Sequence, residues 1–195
     1  MAATSVKLRA RKQQVVRDAI GDAAIDLFTV KGFDDVTVDE IAQAADVSRR
    51  SFFRYFSSKK DIMAQGVLLY GARLRAAIEA CPRSCSLREI MERATLEVAQ
   101  HSAVQPRTRQ VFRIAESSAA AREALLSSLP VVEDQVTKAF EAHLRKGSKD
   151  LLKPRLLAAL TLTILNVSIG VWCRSEHEDI SIIVRRAFST LSQLA

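Results

Sequence analysis

The run from Leu156 to Cys173, 18 residues without a charge between Arg155 and Arg174, constrains this chain more than any other stretch. It reaches the lower length limit for a membrane-spanning helix. Thr161, Thr163, Asn166, Ser168 and Gly170 interrupt it on more than one face, and no second such run or aromatic belt accompanies it. Polar atoms are costly inside hydrocarbon, so a membrane span is not expected. A water-soluble helix that is apolar nearly all round must be covered on both sides. Its own domain supplies one cover, and a second copy of the chain is expected to supply the other.

The remainder reads as helix. Only six Gly and four Pro occur in 195 residues of which 48% are apolar, which disfavours turn-rich all-β and linker-like folds and suits one globular domain or two small ones sharing a core. Cys81, Cys85 and Cys173 are an odd count in a chain long enough to stabilise itself by burial, so no disulfide framework is expected. The C-x3-C spacing lacks a second Cys or His pair, and His101, His143 and His177 are scattered, so no metal site is expected. The basic N-terminus has no apolar segment after it, which argues against a secretory signal and for a cytoplasmic protein. Gly-rich phosphate loops, H-E-x-x-H and G-x-S-x-G are missing, so the chain is not read as an enzyme and no cofactor is expected.

Local signals place the helix ends. Apolar residues from Val16 to Phe28 recur at helical spacing over 12–31, and Gly32 can take the positive φ of a C-terminal stop. Thr37-x-x-Glu40 is a capping box, with Val36 and Ile41 as its hydrophobic staple, for a short helix over 38–45. Asp46 tolerates a turn conformation, and Ser48 is the cap expected for a third helix over 49–55. A longer helix follows over 58–80, carrying Gly66 and Gly71, for which close helix packing is favoured over a hinge. Ser86-x-x-Glu89 opens a run of further helices up to Ser128. Helices over 131–146, stopped by Gly147 after Arg145 and Lys146, then over 154–174 and 179–193 complete a nine-helix, all-α fold.

The net charge of +7, with a pI near 9.7, is unevenly spread. Residues 6–17 hold Lys7, Arg9, Arg11, Lys12 and Arg17 without an acid, and residues 47–60 hold Arg49, Arg50, Arg54, Lys59 and Lys60 without one. In VSRRSFFRYFSSKKD, Phe52 and Phe56 stand at i and i+4 and can anchor a helix, which turns Arg49, Arg50, Ser51, Arg54 and Tyr55 outward behind the Ser48 cap. Arginine forks match guanine O6 and N7, and polar groups at a helix start suit phosphate oxygens. Two short helices joined by a tight turn and preceded by a longer helix form a helix-turn-helix unit, so duplex DNA is the expected partner.

Residues 12–63 resemble the N-terminal domain of the tetracycline-repressor-like (TetR) family of bacterial transcription regulators. The resemblance lies in Lys31-Gly32-Phe33, Thr37-Val38-x-x-Ile41-Ala42, Val47-Ser48 and the aromatic run closing in Phe56 and Lys59. It implies a DNA-binding domain over 12–57 behind a flexible basic arm, residues 1–11, and a ligand-binding and dimerisation domain over 58–195. By the same resemblance Thr37 is a phosphate contact, Arg49, Arg50 and Ser51 are base-edge or phosphate contacts, and Tyr55 and Lys59 are backbone contacts. The resemblance further implies a homodimer through the last two helices, bound as a repressor to a pseudo-palindromic operator. Three positions depart from the pattern: Asp46 replaces the usual Gly, Arg50 a small residue and Phe53 a common Tyr, with Arg54 placed to compensate.

A small-molecule effector in the C-terminal domain is the weaker inference. Phe112, Phe140, Asn166 and Trp172 combine apolar area with isolated polar handles, although ordinary core packing gives the same pattern. Arg73, Arg109 and Arg113 could attract an anionic ligand. The rival function is a helical protein-interaction adaptor that binds no specific DNA.

Overall fold

A computed structural model describes the backbone of residues 2–144 and 150–193. Its order is α1 (Ala2–Lys31), α2 (Val38–Ala44), α3 (Arg49–Tyr55), α4 (Lys59–Ala80), α5 (Leu87–Val104), α6 (Thr108–Ser117), α7 (Ala119–Leu126), α8 (Leu129–His143), α9 (Leu152–Arg174) and α10 (Ile180–Gln193). The fold is all-α, as expected. Among the described residues the helices number ten, where nine were expected. Ser118 separates α6 from α7: its Oγ accepts from the Ala121 amide at 3.1 Å and caps α7.

Within the expected arm over residues 1–11, α1 runs from Ala2 onward. Residues 2–20 contain neither Gly nor Pro and are rich in Ala, Arg, Lys and Gln, which favour helix. At its other end α1 stops as expected, with Gly32 at φ 88° and its amide bonded to the Phe28 carbonyl. Helix α8 ends at His143, where Leu144 turns extended; the stop expected at Arg145, Lys146 and Gly147 lies outside the described residues.

The chain forms two compact units, one of residues 1–65 and 113–126, the other of residues 66–112 and 127–195. This differs from the division expected at 57/58. The boundaries fall inside α4 and α6, and residues 113–126 return to the first unit, where Glu123 meets Lys60 at 3.8 Å. In the first unit Ile20, Phe28, Val36, Ile41, Phe52 and Phe56 are buried, and the rings of Phe28 and Phe33 lie 4.9 Å apart. In the second unit α9 packs against α5, α8 and α10. Helix α4 approaches α8 at Gly71, where a Cβ would stand 2.6 Å from both methyls of Val132; Gly66 has nothing within 4 Å of such an atom. Close packing therefore explains Gly71 and not Gly66.

Helix α9 is, among the described residues, long and apolar enough to cross a membrane by length and composition, with 44% of its most apolar 18-residue window buried within the chain. Its uncovered side is the stripe Leu152, Leu156, Leu160 and Val167, with Ile182 exposed on α10.

Candidate nucleic-acid interface

The residues that set α2 and α3 follow from the sequence. Thr37 Oγ1 accepts from the Glu40 amide at 3.3 Å, while Glu40 Oε2 accepts from the Thr37 amide at 2.8 Å, closing the capping box. Glu40 also receives Lys31 Nζ at 2.7 Å. The Lys31 and Thr37 hydrogen bonds hold its carboxyl well below the ordinary range, at about 2. Asp46 takes φ 51°, the left-handed conformation expected of it. That turn lets the chain reverse into α3, where Ser48 Oγ accepts from the Ser51 amide at 3.1 Å.

Phe52 is fully buried and Phe56 nearly so, their ring centroids 5.9 Å apart, which fixes the inner side of α3. On the outer side Arg49, Arg50, Phe53 and Arg54 are exposed, with Ser51 and Tyr55 half-buried. The five cationic and hydroxyl side chains do not behave alike. Arg49 is pinned: its Nη1 donates to Asp39 Oδ2 at 2.6 Å, and its guanidinium lies 5.5 Å from the Phe53 ring centroid. Arg54 folds over Tyr55, 4.9 Å from its ring centroid, and donates to its hydroxyl at 3.1 Å. Arg50 has no ion pair or hydrogen bond to the described residues. Phe53 keeps 46% of its surface exposed, between an edge contact on Phe52 and the Arg49 guanidinium.

Two of the expected contact residues are engaged within the chain. Lys59 does not offer its ammonium outward. Its Nζ donates to the carbonyls of Phe33 at 2.7 Å, Val36 at 2.8 Å and Asp34 at 2.9 Å, the full complement of three protons, and sits 4.8 Å from the Phe33 ring centroid. It ties the α1–α2 connection to the start of α4. Thr37 also spends its hydroxyl proton internally, on Glu40 Oε2 at 2.9 Å. Of the basic N-terminal run, Arg9, Arg11 and Lys12 are exposed along α1, whereas Arg17 lies over Phe56 at 4.9 Å.

The candidate ligand residues differ in burial and in neighbours. Phe140 is fully buried, whereas Asn166 is exposed on α9 and accepts from the Tyr70 hydroxyl at 3.1 Å. Phe112 lies beside Gly170 and under Arg174, and Trp172 under Arg109 at 4.0 Å. Arg109 donates to the carbonyls of Cys173 and Ser175 at the end of α9. A recess of about 200 Å³ in this unit is lined by Ala77, Ala80, Cys81, Pro82, Arg93, Ala94 and Glu97, none of them among the four. Helical spacing identified apolar faces but not their neighbours.

A buried aromatic pair behind a short, capped, cationic helix defines a helix-turn-helix reading head. Residues 20–65 match the model of the bacterial regulatory proteins of the tetR family. The match spans that region alone, about a quarter of the chain, and there the chain is similar to that family. It is 36% identical over 86 residues to MftR of Mycobacterium tuberculosis, named as a transcriptional regulator for mycofactocin biosynthesis, over 44% of this chain and 43% of that protein. The chain thus matches less than half the length of this curated relative. Two solved structures share the fold over nearly the whole chain. They are the fatty acid degradation regulator FadR of Bacillus halodurans, TM-score 0.62, 18% identical over 90% of this chain and 94% of that one, and NalD of Pseudomonas aeruginosa, the secondary repressor of the MexAB-OprM efflux pump, TM-score 0.63, 17% identical over 94% and 96%.

Proposed function

We propose that this chain is a sequence-specific DNA-binding transcriptional regulator, a cytoplasmic repressor that engages a pseudo-palindromic operator as a homodimer. The observation that carries the reading is the division of α3: Phe52 and Phe56 are held inside while Arg49, Arg50 and Arg54 stay outside, on a helix that Ser48 caps. An adaptor has no need of three outward guanidinium groups on one such helix; a reader of guanine edges and phosphates does. The regulatory names of the relatives support it.

Dimerisation is proposed from the exposed α9 stripe of Leu152, Leu156, Leu160 and Val167, whose spacing sets them on one helical face, and from Ile182, exposed on α10. A second copy gives that stripe the cover an apolar helix requires. Two-fold symmetry would then space the half-sites by one or more helical turns. A small-molecule effector bound by the second unit belongs to the same proposal, acting by preferring one arrangement of the two heads.

The test is selection of bound duplexes from a random pool by the full chain, followed by a metabolite screen for release of the selected duplex. Enrichment of an inverted repeat, bound far more tightly than random DNA and at two chains per site, is the expected result. Equal retention of all sequences, or none, would overturn it.

A further inference from the structure

We infer that Asp39 is a specificity-determining positioning residue: it holds Arg49 in a fixed pose for base readout, and so divides labour with Arg50, which serves the phosphates. This rests on the DNA-reading function proposed above. Asp39 lies in the first turn of α2 and Arg49 opens α3, and the two meet across the turn at 2.6 Å. Both are open to solvent, at 63% and 61% side-chain exposure, where an ion pair adds little to the stability of a fold. What it adds is orientation. One end of the planar guanidinium is taken by the carboxylate and one face lies near Phe53, so an otherwise flexible side chain loses most of its freedom. The remaining N–H donors of the fork are left free to meet a base edge.

Charge separates the two arginines. A phosphate clamp works by neutralising backbone charge and releasing counterions. Arg49 already faces a carboxylate, so the pair brings almost no net charge to the duplex, and Asp39 repels any phosphate drawn toward it. Arg50 has no such partner among the described residues and carries its full charge outward. The paired arginine is therefore built for selection and the unpaired one for affinity. Asp39 also penalises every sequence that does not satisfy the fork, because binding elsewhere brings a carboxylate to the duplex without return.

The experiment compares the full chain with Asp39→Asn, Arg49→Ala, Arg50→Ala and Asp39→Asn/Arg49→Ala, reading base preference from selected duplexes and the salt dependence of binding to one cognate and one random duplex. Asp39→Asn should flatten preference at the same base pair as Arg49→Ala, tighten random-DNA binding several-fold and steepen its log–log salt slope by about one. The double variant should lose no more preference than Arg49→Ala alone. Arg50→Ala should weaken cognate and random binding alike, with a salt slope shallower by about one. Circular dichroism melting confirms that each variant is folded, and Asp39→Glu, which keeps an acceptor, should retain part of the preference. If wild type selects a site and Asp39→Asn keeps its preference at every base pair, the positioning role is wrong while the regulator reading stands. If wild type selects nothing, the regulator reading itself has failed.

Discussion

Replacing Gly71 with Ala tests the closest helix approach in the second unit. Two effects oppose each other. Alanine in a helix interior is favoured over glycine by about 0.8–1.0 kcal/mol. Against this, the added methyl would stand 2.6 Å from Val132 Cγ1 and Cγ2 and 3.1 Å from Val132 Cβ. Val132 is fully buried and β-branched, so no rotamer takes both methyls away, and relief needs a backbone shift. Overpacking of this kind costs about 1–3 kcal/mol, and a double methyl clash puts the site at the upper end, for a net loss of about 2 kcal/mol. Gly66→Ala, with nothing within 4 Å, should instead gain about 1 kcal/mol. Urea titration at one fixed protein concentration reads both as shifts of the midpoint, downward by roughly 1 M for Gly71→Ala and upward for Gly66→Ala, with unchanged slope. In a Val132→Ala background the methyl contacts vanish and only the 3.1 Å contact remains, so Gly71→Ala should become close to neutral. A Gly71→Ala chain as stable as wild type, or a loss that persists without the Val132 methyls, would refute the packing argument.

Three further outcomes follow from the first unit and from Tyr70. Lys59→Met deprives three carbonyls of their donor and should lower stability by about 2–3 kcal/mol in chemical denaturation, while Lys60→Met, exposed and loosely paired with Glu123, should stay within about 0.5 kcal/mol. Because its ammonium is spent internally, Lys59→Met should leave the salt slope of DNA binding unchanged where it remains folded. Glu40 ionises more readily folded than unfolded, so it stabilises the fold above its ordinary pKa of 4.5, and that contribution is lost as pH falls toward about 2; in acid titrations the stability gap between wild type and Glu40→Gln should close over that window. Burial pushes the Tyr70 phenol from 10 to about 12; in a Tyr55→Phe chain, which has no other tyrosine, phenolate absorbance should rise near pH 12, and the stability from this group should be lost as pH climbs from 10 to 12.

Local chemistry made much of the reading head legible. Thr37-x-x-Glu40 and Ser86-x-x-Glu89 both close as capping boxes, Ser48 caps α3, Gly32 and Asp46 take positive φ, and Phe52 and Phe56 turn inward. Each of these depends on residues within a turn or two. The misses depend on distance. Lys59 looked like another cation until the carbonyls 23 to 26 residues away claimed its protons. Asp39 went unremarked, since nothing in sequence pairs it with a residue ten positions on. The helix over residues 2–11 was not read because charge was weighed above the absence of helix breakers. For the candidate effector residues, periodicity gives the face a residue lies on and says nothing about the element it meets.

The return of residues 113–126 to the first unit changes how that unit can be handled. Ala121 and Ala124 are buried on α7, more than fifty residues past the point where a cut after Gln65 would end the chain. The head is thus sewn from two separate lengths of thread. A truncated fragment would lack its last panel, and grafting it onto another body means carrying α7 across as well, by a linker from its far side or by a circular rearrangement of the gene.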